Sequence, residues 1–259
     1  MKIIDILTER HRIGKKSIAV LIDPDKMEDV LRLTHLINLG TENCIDFFLV
    51  GGSLITSSNL SEVISIIKEN VSSVPVILFP GNSLQLDPSA DAILFLSLIS
   101  GRNPDLLIGQ HVQAAPILKN YRMEVLPTGY MLINSGRLSS AAYISNTTPI
   151  PDDKYSVAAC TAMAGEMLGL KMIYLDGGSG AEKEISQRMI NSVRKVINVP
   201  LIVGGGINTA EKAQHALEAG ADMIVIGNVL EKDPELLTEI SERVYEWNLK
   251  VEARKSIDN

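Results

Sequence analysis

Asp23, Asp25 and Lys26 stand together directly after a short apolar run, and Gly51-Gly52-Ser53 directly follows the next one. A carboxylate, a hydroxyl and an ammonium brought close can hold a diphosphate through Mg²⁺, an ion that favours carboxylate and phosphate oxygens. In this reading one of the two aspartates and the Ser53 hydroxyl face the ion, and Lys26 touches the phosphate group. Asp23 also suits a plainer role, capping the helix that follows with Pro24 at its first position. Three later apolar runs stop at glycine: Tyr174-Leu175-Asp176-Gly177-Gly178-Ser179-Gly180, Leu201-Ile202-Val203-Gly204-Gly205-Gly206-Ile207 and Met223-Ile224-Val225-Ile226-Gly227-Asn228. Glycine just past a strand lets backbone N–H groups turn toward an anion with no Cβ in the way. One such turn is ordinary; the succession points to a phosphate held between neighbouring loops. Asp176 precedes two glycines, a poor helix start, so its carboxylate is read as a base or hydroxyl-orienting group for a bound polyol. Tyr174 shares its strand face and can bond the same ligand.

These residues need elements that bring strand ends to one face. Apolar runs at 17–22, 47–50, 75–79, 92–96, 124–133, 171–176, 200–203 and 223–226 read as strands buried on both faces. Residues 3–12 form a short amphipathic helix that could cap one end of the fold. Further helical patterns cover 27–39 (closed by Gly40), 60–71, 104–121 (with Pro116 as a break or kink), 156–168, 182–197, 209–219 and 234–252. Residues 134–154 are a long polar loop with room for short pieces of structure, the kind that is usually functional or mobile. Strands alternating with helices over 259 residues predict one α/β domain, a (β/α)₈ TIM barrel across 1–259. A doubly wound sheet would place its glycine fingerprint after the first strand, where Asp23-Pro24-Asp25 stands instead. In a barrel all strand ends share one mouth, with the phosphate loops after strands seven and eight. The diphosphate group is expected on the opposite side of that mouth, with Asp176 between the two anions.

Composition narrows the partners. A net charge of -7 argues against non-specific nucleic-acid binding, yet leaves a phosphorylated small molecule open. Cys44 and Cys160 lack metal or redox spacing and read as buried small hydrophobes. The four histidines are scattered, and Trp247 reads as core or interface. The N-terminus lacks a signal-peptide core and no apolar run is long enough to span a bilayer, so a cytoplasmic protein is expected.

Leu21-Ile22-Asp23-Pro24-Asp25-Lys26, Val50-Gly51-Gly52-Ser53, Phe79-Pro80-Gly81-Asn82, Tyr174 to Ala181, Val203-Gly204-Gly205-Gly206-Ile207 and Ile226-Gly227-Asn228, in this order and spacing, resemble the geranylgeranylglyceryl phosphate synthases and their heptaprenylglyceryl relatives. The resemblance covers nearly the whole chain. It implies a Mg²⁺-dependent prenyltransferase that joins sn-glycerol 1-phosphate to a polyprenyl diphosphate, working as a homo-oligomer, dimer or hexamer. Carried over, Asp23 and Ser53 would bind Mg²⁺, which agrees with the reading of Lys26 as a diphosphate contact. Tyr174, Leu175, Asp176, Gly177, Gly178, Ser179, Gly180, Gly204, Gly205, Gly227 and Asn228 would hold the glycerol phosphate. The family's usual Tyr-Leu-Glu reads Tyr-Leu-Asp here, so Asp176 needs the backbone closer to the glycerol hydroxyl, which Gly177 would permit. Strands three and four and the apolar part of 104–121 are candidates for the prenyl groove. Other readings use the same loops: a phosphosugar isomerase, an FMN oxidoreductase, or a non-catalytic paralogue that binds a phosphate ligand.

Overall fold

The computed structural model describes residues 2–26, 29–56 and 59–257. The apolar runs form eight parallel strands: β1 Ser17–Ile22, β2 Phe47–Gly52, β3 Val76–Pro80, β4 Ala92–Leu98, β5 Glu124–Leu132, β6 Met172–Asp176, β7 Leu201–Gly204 and β8 Met223–Ile226. They pair in chain order, and β8 pairs with β1 to close the barrel. Helices α1 Ile3–Ile13, α2 Val30–Glu42, α3 Leu60–Asn70, α4 Gln110–Leu118, α5 Ser140–Ser145, α6 Tyr155–Met167, α7 Gln187–Arg194, α8 Ala210–Glu218 and α9 Leu236–Ile257 complete the fold. No helix among the described residues is long and apolar enough to cross a membrane.

Alternate strand residues feed two cores. Ala19, Phe47, Leu49, Ile77, Leu94, Tyr174 and Ile202 fill the barrel interior. Val20, Phe48, Val50, Ile173, Leu175 and Val203 pack outward with helix residues such as Leu33, Ile37, Ile64, Ile190 and Leu237. Burial on both faces is why the strands read as continuous apolar runs.

The end of the barrel opposite the strand C-termini is closed by α1, whose Ile3 and Leu7 join the inner core. The Glu124 carboxylate at the start of β5 accepts from Ile3 N at 2.7 Å and Ile4 N at 3.0 Å, anchoring the helix N-terminus. Other carboxylates at this end accept an N–H from the first residues of a neighbouring strand. Asp46 takes Ile18 N at 2.9 Å, Asp91 takes Val76 N at 2.8 Å and Asp222 takes Leu201 N at 2.9 Å.

Several elements differ from the sequence reading. The expected start of α2 at Met27 lies outside the described residues; Asp29 caps the observed helix, and Gly40 lies within it. A Cβ on Gly40 would meet Ile45 Cδ1 at 2.9 Å, so this glycine admits a core side chain instead of ending the helix. Pro116 does not interrupt α4, which continues to Leu118 after a π-helical turn at Asp105–Gly109. β5 runs through Pro127 and Gly129 and pairs with β4 at both positions. A Cβ at Gly129 would meet Ile173 Cδ1 at 2.8 Å and Ile99 Cδ1 at 2.9 Å, so packing requires the bare Cα. α7 begins only at Gln187, capped by Ser186, because Lys183 N is drawn away to Ser135 O at 3.1 Å. Both cysteines are exposed, not buried. Cys44 holds a left-handed position (φ 52) just after α2, and Cys160 faces solvent on α6. The β3–β4 connection, residues 81–91, contains no helix.

Candidate active site

The strand C-termini bring the predicted residues to one mouth. Asp23 follows β1, and a Cβ on Gly52 would stand 3.4 Å from its Cγ, so the carboxylate rests over the glycine that precedes Ser53. Gly51 (φ +150) presses against Phe79 O, and a Cβ on Gly81 would fall 2.5 Å from Gly52 O and 2.6 Å from Ser53 O. Backbone packing therefore fixes the Ser53 turn, and Gln85 Oε1 secures it by accepting from Gly81 N at 2.8 Å. Asp25 is committed elsewhere. Its Oδ2 accepts from Thr56 N at 2.7 Å and Thr56 Oγ1 at 2.8 Å, tying two loops together. Of the two aspartates, Asp23 is the one beside Gly52 and Ser53.

Lys26 Nζ lies 3.1 Å from Asp23 Oδ2 and 3.5 Å from Glu231 Oε1, and it donates to Asn228 Oδ1 at 2.8 Å. Asn228 Nδ2 in turn donates to Ser179 Oγ. A polar chain thus runs from Asp23 to the loop after β6. The two candidate anion sites adjoin round the rim and do not face one another, because closure sets β8 beside β1. Glu231, on a turn Asn228–Glu231 after β8, was not foreseen. Burial raises its pKa, and the neighbouring Lys26 only partly offsets this.

Asp176 ends β6 and is 7% exposed. Its Oδ2 accepts from the Tyr130 hydroxyl, and its Oδ1 from Gly178 N at 2.7 Å. Burial raises the carboxyl pKa, while these two donors pull it back. Tyr130 came from β5 without any motif to mark it. Phe79 stacks on Tyr174 at 5.5 Å and meets Tyr130 edge-on at 5.9 Å, which locks the aromatic floor beneath Asp176. Burial, then the Asp176 charge, keeps both phenols protonated well above their ordinary range. A Cβ on Gly204 would lie 2.5 Å from the Tyr174 hydroxyl. Leu175 turns outward into the sheet–helix core and offers the mouth only its backbone.

The glycine loops divide their N–H groups. Gly177 N donates to Gly204 O at 3.0 Å and Gly178 N to Asp176, so these two shape the loop. Gly205 (φ 78) must lack a Cβ, which would lie 2.7 Å from the nitrogens of both Gly177 and Gly178. Among the described residues, the backbone N–H groups of Ser179, Gly180, Gly205 and Gly206 have no partner and are available to an anion.

A family model described as the PcrB family matches residues 10–244. The chain belongs to the PcrB family. A geranylgeranylglyceryl phosphate synthase of Spirosoma linguale is 57% identical over 246 residues, spanning 95% of this chain and 98% of its own. One of Korarchaeum cryptofilum is 38% identical over 237 residues, spanning 91% of this chain and 96% of its own. Among solved structures, (S)-3-O-geranylgeranylglyceryl phosphate synthase from Thermoplasma acidophilum, in complex with its substrate sn-glycerol-1-phosphate, superposes with a TM-score of 0.88. It is 32% identical, with 95% of this chain and 99% of that chain covered. The superposition agrees with the closed eight-stranded barrel.

Proposed function

We propose that this PcrB-family chain is a prenyltransferase that joins the C3 hydroxyl of sn-glycerol 1-phosphate to geranylgeranyl diphosphate, forming an ether and releasing diphosphate. The observation that carries this reading is Asp176: a buried carboxylate held on both oxygens, beside a loop of unpartnered N–H groups. Geranylgeranylglyceryl phosphate synthases at 57% and 32% identity supply the chemical context.

The phosphate of the glycerol substrate would rest on the N–H groups of Ser179, Gly180, Gly205 and Gly206, with Gly227 and Asn228 closing the far side. That leaves the C3 hydroxyl to donate to Asp176. As the new C–O bond forms at C1 of the prenyl chain, the bond from C1 to the diphosphate breaks and its electron pair leaves with the diphosphate. The hydroxyl proton passes to Asp176. Tyr130 keeps its own proton and holds Asp176 in place. Lys26, reached from the β8 loop as well as from β1, meets the leaving diphosphate.

Asp23 and Ser53 are the residues that would hold Mg²⁺. The described residues contain no group of three metal-ligating His, Cys, Asp or Glu side chains. One carboxylate and one hydroxyl suit an ion that completes its sphere with diphosphate oxygens and water. Bound there, Mg²⁺ would neutralise charge on the departing diphosphate. For the tail, half-buried Leu96 and Leu106 border the inner core, and we assign them to the start of the prenyl path. The reaction is assigned to the cytoplasm and to a homo-oligomer.

Incubation with Mg²⁺, sn-glycerol 1-phosphate and radiolabelled geranylgeranyl diphosphate tests the proposal. Label should move into an extractable prenyl ether, and chelation of the metal should stop it. Absence of ether product with prenyl diphosphates of any length would overturn it.

A further inference from the structure

The segment between β5 and α5 lies across the loop that follows β6. Ser135 Oγ donates to Gly177 O at 2.7 Å, and Lys183 N donates to Ser135 O at 3.1 Å. A Cβ on Gly178 would meet Ser139 Cβ at 2.6 Å, so the Ser139 side chain rests directly on the bare Cα of Gly178. This strap carries Arg137. Its guanidinium lies on the bare Cα of Gly180, where a Cβ would collide with Nη2 and lie 3.3 Å from Cζ. Gly180 adopts φ 70, so both its conformation and its missing side chain make room for the cation.

The charge balance here differs from that around Lys26. Lys26 is held between the Asp23 and Glu231 carboxylates. Arg137 has no ion-pair or hydrogen-bond partner among the described residues. On the facing loop, Glu182 is directed at Gly136, with Oε2 3.0 Å from where a Cβ there would stand. The Ser179–Gly180 turn, with its unpartnered N–H groups, therefore has beside it one side-chain cation that no acid neutralises. A phosphate held by backbone N–H groups alone keeps most of its charge uncompensated. A guanidinium answers this with parallel donors in a planar fork.

We propose that Arg137 is a substrate-binding residue whose guanidinium closes over the phosphate of sn-glycerol 1-phosphate and pairs with its oxygens. Ser135 and Ser139 are positioning residues that hold the strap against the loop. This assignment rests on the reading that the Ser179–Gly180 and Gly205–Gly206 turns hold that phosphate.

Calorimetric titration of the intact protein with sn-glycerol 1-phosphate separates the two claims. Arg137→Ala should weaken binding by roughly 10- to 100-fold, the size expected for a lost charge-assisted contact. Arg137→Lys should recover part of that loss, and affinity should fall less steeply with salt in the alanine variant than in the parent protein. In turnover, KM for glycerol phosphate should rise, while kcat and KM for the prenyl diphosphate stay within about twofold, since Arg137 reaches neither the reacting hydroxyl nor the Asp23 side. The exposed Arg137 makes no internal hydrogen bond, so an unchanged melting temperature is expected, and a merely structural role would not split the two KM values. Unaltered glycerol phosphate affinity in Arg137→Ala, with the parent protein binding normally, overturns the Arg137 assignment alone. Failure of the parent protein to bind glycerol phosphate overturns the phosphate site, and this inference with it.

Discussion

Asp176 sits under opposed pressures: burial disfavours its charge, and the hydrogen bonds from Tyr130 and Gly178 restore part of it. Its pKa lies above the ordinary 3.8, so the reaction should lose rate as pH falls through a value higher than that of a solvated aspartate. Tyr130→Phe removes a donor to the carboxylate and keeps the ring. The acid limb of the kcat profile should then move to higher pH, with kcat at neutrality down about tenfold; a limb left where it was would show that Tyr130 does not tune Asp176. Asp23 makes a different prediction. Asp23→Asn should lower kcat/KM for the prenyl diphosphate by about 100-fold, a loss typical of removing charge stabilisation. Glycerol phosphate affinity, measured by calorimetry, should barely change, and equal losses in both substrates would contradict the roles assigned to the two ends of the mouth.

At the scale of elements, the site depends on glycines that allow one strand end to approach another. Gly205 is the sharpest case, being left-handed and pressed on the nitrogens of Gly177 and Gly178. Gly205→Ala forces φ near 78 on an alanine, at about 1–2 kcal/mol, and also displaces the loop. A lower melting temperature and a KM for glycerol phosphate raised by about 100-fold or more are expected; unchanged kinetics would show that the loop is not the phosphate site. Strands and their glycine ends were legible because doubly buried parallel strands carry unbroken apolar runs that stop abruptly. What the chain order concealed was tertiary. Tyr130 meets Asp176 from 46 residues away, and Arg137 reaches Gly180 only because the strap folds over. Closure of β8 on β1 turned an expected pair of facing anion sites into adjoining ones. The late start of α7 has the same origin, since a contact between Lys183 N and Ser135 O overrides a helical pattern that begins at 182. Leu175 belongs to the motif, yet strand alternation turns its side chain from Tyr174 and Asp176 into the outer core.

Across the whole molecule, chemistry and stability occupy opposite ends of the barrel. At the closed end Asp222 pairs with His11 at 3.0 Å and Arg194 at 2.8 Å, with Lys16 at 3.8 Å. Burial alone would raise its carboxyl pKa, but the contacts from His11, Lys16 and Leu201 N prevail and leave it lowered. Its contribution to stability is therefore present above 3.8 and lost as pH falls through the lower folded value. Asp222→Asn leaves partly buried cations unpaired and should cost about 3–5 kcal/mol at pH 7, with the gap in melting temperature closing below pH 3.8. KM for either substrate should not move, and a large kinetic effect would contradict the division between the two ends. At the mouth, the proposed reaction has a glycerol phosphate hydroxyl, oriented by Asp176, displace diphosphate from a prenyl chain. Mass spectrometry of the product, with diphosphate counted in the same reaction, tests it most directly. One diphosphate released per ether, and fragmentation that places the prenyl chain on the glycerol C3 oxygen, is the predicted result. Diphosphate released without an ether, or a prenyl chain attached elsewhere, would contradict the account.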